Sequence, residues 1–146
     1  MRGRWSTRRR TVGERGAAAV EFALVAPLLF MVLFGIIQFG LVLNQKQGIH
    51  SAAREGARVL SLPTTSMDEG CDRVEAALTG INGTFTITVK KDGANPVACS
   101  GGGDGPCNDA SVDAVTVTVS TPYDISIPGF DEAGTIKGEA VFRCEH

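Results

Sequence analysis

Residues 17–43 read AAAVEFALVAPLLFMVLFGIIQFGLVL, and this stretch determines how the rest of the chain is interpreted. After Glu21 it contains no charged side chain, and the next charge along the chain is Lys46. A helix needs roughly 20 residues to cross about 30 Å of hydrocarbon. The 22 residues from Phe22 to Leu43 are therefore sufficient to span a bilayer. The sequence predicts one transmembrane helix over residues 17–43.

Charge is distributed unevenly on the two sides of this span. Residues 1–16 contain six arginines and one glutamate, a net charge of +5, whereas residues 64–146 contain thirteen acidic and five basic residues, a net charge of −8. Positive charge beside a span stays in the cytoplasm. We therefore predict a single-pass protein of the inner (cytoplasmic) membrane, with a basic cytoplasmic leader at 1–16. A cleaved secretory signal is disfavoured, because such signals have a shorter apolar core followed by a small-residue cleavage site.

The helical pattern continues beyond the span. Small and apolar residues recur at helical spacing along one face, and they are Ile49, Ala52, Ala53, Gly56 and Leu60. Pro63 ends the pattern, because a proline disfavours the helical conformation of the residue before it. These features predict a stalk helix over 44–62. Gly48 and Gly56 weaken a helix, so the pattern leaves open whether span and stalk form one unbroken helix.

The remainder, residues 63–146, is predicted as an extracytoplasmic α+β domain. Ser66 followed by Glu69 matches a capping box and predicts a helix over 66–79. Apolar residues then alternate with polar ones, which is typical of strands with one buried face, and the predicted strands cover 84–90, 114–120 and 135–143. The predicted fold class is therefore α+β: a long N-terminal transmembrane and stalk helix, then a small disulfide-bearing domain with one helix and an antiparallel sheet.

All four cysteines follow the predicted span: Cys71, Cys99, Cys107 and Cys144. An even number of cysteines outside the cytoplasm favours disulfides over free thiols. Four cysteines allow three pairings. We favour a Cys99–Cys107 bond, which would close a glycine-rich loop, together with a Cys71–Cys144 bond, which would join the predicted helix to the last strand.

The composition of the outer domain favours a structural role over catalysis. The only histidines in the chain are His50 and His146 and no C-x-x-C occurs, so a zinc site would lack ligands. The acidic loop residues do not match the spacing of a calcium-binding EF-hand. No serine lies in a recognisable nucleophile motif. We predict that the protein is not an enzyme and has no metal, no cofactor and no small-molecule substrate. Membrane topology explains the arginines adequately, so we expect no nucleic-acid partner.

The junction RGAAAVEF at residues 15–22 is the most informative stretch for function. A basic leader, then Gly16, four residues, Glu21-Phe22 and a long apolar helix resemble the processing signature of type IV prepilin-like proteins. The resemblance implies cleavage after Gly16, which would create a new ammonium group at Ala17. Glu21 would then lie one helical turn away. In a packed bundle its carboxylate can neutralise the ammonium group of a neighbouring subunit, where the low dielectric makes such a pair strong.

The residues that follow narrow the resemblance. EFALVAPLL at 21–29, GIIQFG at 35–40 and AAREGAR at 52–58 resemble three successive blocks of the TadE-like family, the pseudopilins of tight-adherence pilus systems. Gln38 stands where glutamate is common in that family. The resemblance implies that a prepilin peptidase cuts after Gly16 and that the protein works with other pilins and pilus assembly proteins, as a pseudopilin or minor pilin.

One alternative function remains open at this stage. The same span and outer domain would also suit an uncleaved, membrane-anchored surface domain that binds a partner or matrix. N-terminal sequencing separates the two, because processing yields a mature chain that begins at Ala17 and the alternative keeps Met1.

Overall fold

The computed structural model describes residues 12–99, 102–127 and 129–145, with side chains from residue 16 onward. Most of the predicted leader (residues 1–11) and His146 lie outside this described part. The chain divides into two compact units, Met1–Ile37 and Gln38–His146, which we call the N-terminal and C-terminal units.

A single helix, α1 (Val12–Leu60), covers the whole predicted span and most of the predicted stalk. The question left open by Gly48 and Gly56 is thereby answered, because the helix is unbroken at both positions. Pro27 lies inside α1 and removes one backbone hydrogen-bond donor. The helix continues through it nevertheless.

The second helix, α2 (Met67–Leu78), confirms the helix predicted over 66–79. Ser66 is its N-cap, and the Ser66 hydroxyl accepts a hydrogen bond from the Glu69 amide at 3.2 Å. The cap satisfies one of the amides that the first turn of a helix otherwise leaves unpaired.

The C-terminal unit also contains a four-stranded antiparallel sheet in the order β2-β1-β3-β4. The three predicted strands are confirmed as β1, β3 and β4, and β2 is an additional short strand. Two of them are longer than predicted, since β3 and β4 pair without interruption from Ala114 opposite Arg143 to Ile127 opposite Phe130. The strands are β1 (Thr86–Lys91), β2 (Val97–Ala98), β3 (Ala114–Ile127) and β4 (Phe130–Arg143), and a short 3₁₀ helix covers Pro106–Asn108.

The core of the C-terminal unit lies between one face of the sheet and the two helices. Val115, Val117 and Val119 of β3 are fully buried, whereas the residues between them are only half-buried. The helices cover this face, mainly with side chains from the last three turns of α1 and from α2: Ile49, Ala52, Ala53, Ala57, Leu60, Val74 and Leu78. An antiparallel sheet covered on one side was the predicted arrangement, and it is confirmed.

All four cysteines form disulfides, but the favoured pairing was wrong. The bonds join Cys71 to Cys99 and Cys107 to Cys144. The short strand β2 explains the first bond, because it pairs with β1 and leads directly into Cys99, whose amide donates to the carbonyl of Ile87. Cys99 is therefore half-buried and packs against the core cluster, which includes Val74 and Leu78 of α2, instead of lying in an independent glycine-rich loop.

The second bond follows from the end of β4. The amide of Cys144 donates to the carbonyl of Asp113 at 3.0 Å, which holds the residue after β4 beside the start of β3. Cys107, on the short 3₁₀ helix, is buried in the same region of the core. Its Cα lies 5.3 Å from that of Cys144.

Candidate functional site

The predicted processing residues lie together in the first turns of α1. Gly16 is four residues from the start of the helix at Val12, and a Cβ added at Gly16 would meet no atom within 4 Å. Ala17 and Glu21 are four residues apart, so they occupy the same helix face about one turn from each other. Both are exposed, as is Phe22. The structure therefore brings Ala17 and Glu21 together on an accessible surface.

The N-terminal unit exposes large apolar side chains all around the helix after Glu21. Phe22 is 66% exposed and Leu24 is 76% exposed. A helix that is apolar on every side is suited to hydrocarbon and not to water. By length and composition, the helix that contains residues 16–60 could cross a membrane, which is consistent with a membrane anchor near the N-terminus.

Further along α1, within the C-terminal unit, exposed large residues give way to buried small ones. We call Ala52, Ala53, Gly56 and Ala57 the docking seam, because none of them is accessible. Small side chains let a helix approach its neighbours closely. The block AAREGAR, which carries part of the family resemblance, is therefore the surface by which α1 packs on the sheet and α2 of the C-terminal unit.

Two glycines allow α1 and α2 to approach each other closely. A Cβ at Gly56 would overlap Cγ2 of Val74 on α2, and a Cβ at Gly70 of α2 would overlap the side chain of Leu60 on α1. The contact is therefore reciprocal, with a glycine on each helix facing a branched side chain on the other. This explains why Gly56 is tolerated inside a helix despite its cost of about 1 kcal/mol relative to alanine.

Polar contacts fix the same part of α1 at both ends. Gln45 donates from Nε2 to the carbonyl of Asn82 at 2.6 Å, and the amide of Glu145 donates to the carbonyl of Ser61 at 2.9 Å. Between these two contacts, Oε1 of Glu55 lies 3.9 Å from a guanidinium nitrogen of Arg73 on α2, in an exposed ion pair. Exposed ion pairs contribute little to stability, so the apolar seam dominates the packing.

A comparison with known protein families matches the family described as TadE-like protein to residues 16–58. Residues 16–58 are a TadE-like segment. The match covers less than a third of the chain, and it begins at the glycine that the sequence singled out for processing. No match was found among curated proteins or solved structures. The TadE-like segment points to a pilin-like protein associated with tight-adherence pili.

The TadE-like segment carries two different surfaces. Residues 16–37 contribute exposed apolar side chains to the N-terminal unit, and the docking seam within residues 52–57 contributes buried small ones to the C-terminal unit. The segment therefore does more than supply a helix that could span a membrane, because its last turns are part of the core of the C-terminal unit.

Sequence reasoning did not anticipate the glycine contacts of the C-terminal unit. Gly70 on α2 and Gly138 on β4 both touch α1, and substitution at either would place a Cβ against it. The available signal was the helical spacing of small residues in α1, which indicates a close partner without identifying it. Within the described part of the chain, no group of three or more His, Cys, Asp or Glu side chains is placed to hold a metal ion.

Proposed function

We propose that this protein is a pseudopilin or minor pilin subunit needed to assemble a tight-adherence pilus, and that a prepilin peptidase cleaves it after Gly16. The observation that carries the proposal is the TadE-like match from Gly16 onward, with Ala17 and Glu21 one turn apart on an exposed helix face. Its partners in this role are the inner membrane, the peptidase, other pilins and pilus assembly proteins.

The proposal assigns the residues of the junction different tasks. Gly16 lies within α1, so the peptidase must unwind the helix around Gly16 to reach the bond after it. Glycine lowers the cost of unwinding, because it destabilises a helix by about 1 kcal/mol relative to alanine. Once Ala17 carries the new ammonium group, Glu21 of a neighbouring subunit can neutralise it. Phe22 follows as the first large apolar residue and enters the hydrocarbon.

We also propose that the leader stays in the cytoplasm and that the C-terminal unit lies outside the membrane. The excess of arginine in residues 1–16 supports this orientation. The two disulfides of the C-terminal unit support it independently, since such bonds persist in oxidising compartments. A role in assembly requires no catalytic residue, and we propose none.

The decisive experiment expresses the full-length chain with its peptidase and measures the intact mass. Wild-type protein should lose the mass of residues 1–16, whereas Gly16→Ala should keep it and support no pili. Gly35→Ala is the matched control, because Gly35 is also a helical glycine with no atom within 4 Å of an added Cβ. It should be processed normally. Normal processing and normal pili with Gly16→Ala would refute the assignment.

A second variant separates cleavage from assembly. Glu21→Gln keeps the size of the side chain but removes the charge that would neutralise the new ammonium group. The leader should still be removed, and pilus formation should fail. Pili at the wild-type level with Glu21→Gln would show that the carboxylate has no role in assembly. An intact Met1 in protein that still supports binding to a partner or matrix would favour the uncleaved surface domain.

A further inference from the structure

The hairpin formed by β3 and β4 extends beyond the rest of the sheet. β1 pairs with β3 only as far as Ser120, whereas β3 and β4 remain paired to Ile127 and Phe130. We call residues 121–127 and 129–135 the arm. Among the described residues, no further strand pairs with either edge of the arm. A two-stranded ribbon is marginally stable in water by itself, so a partner that contacts the arm would stabilise it.

The arm carries negative charge on the side that faces away from α1. Residues 121–135 contain three carboxylates and no lysine or arginine. Side chains alternate between the two faces of a strand. Val119 of β3 faces the helices, so Asp124 lies on the opposite face. Asp131 shares that opposite face, because it pairs with Ser126 and accepts a hydrogen bond from the Ser126 hydroxyl at 2.6 Å. Both aspartates are exposed.

Positive charge follows α1 on a surface that neither the sheet nor α2 covers. Lys46, His50 and Arg54 recur every four residues, so they lie along one side of the helix, and we call them the basic stripe. They border an open groove of about 510 Å³ whose described lining contains no carboxylate. Lys46 and Arg54 are exposed. In the described part of the chain, no ion pair joins the basic stripe to the arm.

We propose that the basic stripe of one copy binds the arm of a second copy of this chain. Lys46 and Arg54 of the first copy contact Asp124 and Asp131 of the second. The arm of the same chain does not satisfy the stripe, because its aspartates point away from α1. A second copy is favoured because each charged surface finds its complement on this same chain. The proposal requires neither processing nor a pilus.

The two surfaces lie at different heights along α1. Gly138 of β4 lies against Ile49, whereas Thr135 borders a groove together with Phe39. β4 therefore approaches the arm in the direction of Phe39, while the basic stripe begins at Lys46 and continues the other way. In copies with parallel α1 helices, the contact displaces the second copy along the helix axis. Because the two surfaces differ, each contact leaves a free arm and a free stripe, so repeated displacement gives an open helical array.

Sedimentation velocity of the full-length, uncleaved protein in nonionic detergent tests the proposal. Wild-type protein should form oligomers that grow with concentration. The arm variant carries Asp124→Lys with Asp131→Lys, and the stripe variant carries Lys46→Glu with Arg54→Glu. Each variant alone should self-associate at least about tenfold more weakly, because attraction between the surfaces becomes repulsion. An equimolar mixture of the two variants should associate as wild-type protein does, since each then finds its complement on the other.

Matched controls change the same amount of charge elsewhere in the C-terminal unit. Lys90→Glu with Lys91→Glu matches the stripe variant, and Asp72→Lys with Glu75→Lys matches the arm variant. Both controls should self-associate within about twofold of wild type. Raising the salt concentration from about 0.1 M to about 1 M shortens the screening length from about 10 Å to about 3 Å, and it should weaken wild-type association by at least about tenfold.

Four results would overturn the proposal. They are a wild-type protein that stays monomeric at every concentration, wild-type association in the arm variant or the stripe variant, an equal loss in the controls, and a mixture of the two variants that stays monomeric. A monomeric wild type whose binding to phosphatidylglycerol vesicles is lost in the stripe variant would assign the stripe to an anionic membrane. None of these results would alter the mass shift that tests cleavage after Gly16.

Discussion

Substitution of Gly138 by alanine tests how closely α1 packs on the sheet. A Cβ at this position would lie 2.7 Å from the carbonyl carbon of Ile49 and 2.8 Å from both the carbonyl oxygen of Ile49 and the amide nitrogen of His50. All three are backbone atoms of α1, so no side-chain rotation can relieve the contact. The helix must move away from β4 by at least about 0.6 Å, which already weakens the dispersion contacts of the seam.

The expected cost follows from two opposing effects. Overpacking typically costs about 1–3 kcal/mol, and a contact with fixed backbone belongs at the upper end of that range. Alanine also has fewer conformations than glycine in the unfolded chain, and this offsets about 0.4–1 kcal/mol of the destabilisation. We expect Gly138→Ala to destabilise the C-terminal unit by about 2 kcal/mol, which corresponds to an unfolding equilibrium about 30-fold less favourable for the folded state.

Amide hydrogen exchange in the full-length protein measures this effect, because the most protected amides of a core strand report the free energy of global unfolding. The amides of Val117 and Val119 on β3 should exchange about 30-fold faster in Gly138→Ala. Gly134→Ala is the control on the same strand, since its Cβ would meet the movable ring of Tyr123 and not backbone. Gly134→Ala should change the exchange rates of the Val117 and Val119 amides by less than about threefold. Wild-type protection in Gly138→Ala, or equal acceleration in both variants, would refute the reasoning.

Two further predictions concern the cap and a disulfide of the same unit. Ser66→Ala should destabilise the unit by about 1 kcal/mol. Ser66→Asp should not, because the aspartate side chain can still accept a hydrogen bond from the Glu69 amide. The midpoints of denaturant unfolding measure the difference between the two variants. Replacing Cys71 and Cys99 together by serine opens a bridge of 28 residues, and the chain-entropy relation gives a loss of about 3.5 kcal/mol, visible as faster exchange of the β3 amides. Unchanged exchange in the second variant would show that β2 holds this part of the chain without the bridge.

Local signals were sufficient to predict the two helices and the three longer strands of this fold. The uncharged run before Lys46 indicated the span, the pair Ser66 and Glu69 indicated α2, and alternation indicated β1 and β3. Each signal depends on residues that are neighbours along the chain. Antiparallel packing on one face followed from the same alternation.

Tertiary placement was not predictable in the same way. Alternation predicted a strand over 114–120 and left Tyr123–Ile127 as a separate extended segment, whereas β3 runs without a break from Ala114 to Ile127. A proline is compatible with a strand that lacks a partner on one side, and β1 pairs with β3 only as far as Ser120. The disulfides were mispaired for a related reason. Their pairing depends on β2, which has only two residues and no pattern of its own.

The processing site could be proposed from sequence because it is a short linear motif on one helix. Its residues keep their relative positions in any chain that forms that helix, so the structure adds only their exposure. The contact between Gly138 and Ile49 is different, since the two residues are about 90 residues apart along the chain. Only the register of β3 and β4 beside α1 brings them together, and that register is a property of the folded unit.

The residue sizes along α1 show that one helix serves two environments. Before Leu43 its apolar residues are large and exposed, because lipid chains conform to any side chain and do not require a close approach. Between Ile49 and Leu60 the buried residues are small, because a sheet and a second helix can reach α1 only where little side chain intervenes. A uniform run of leucines would suit a membrane but would hold the sheet and α2 away from the last turns of α1. The alanines and the glycine of AAREGAR therefore serve a different physical purpose from the apolar run of the same TadE-like segment: they let the sheet and α2 pack closely on the last turns of α1.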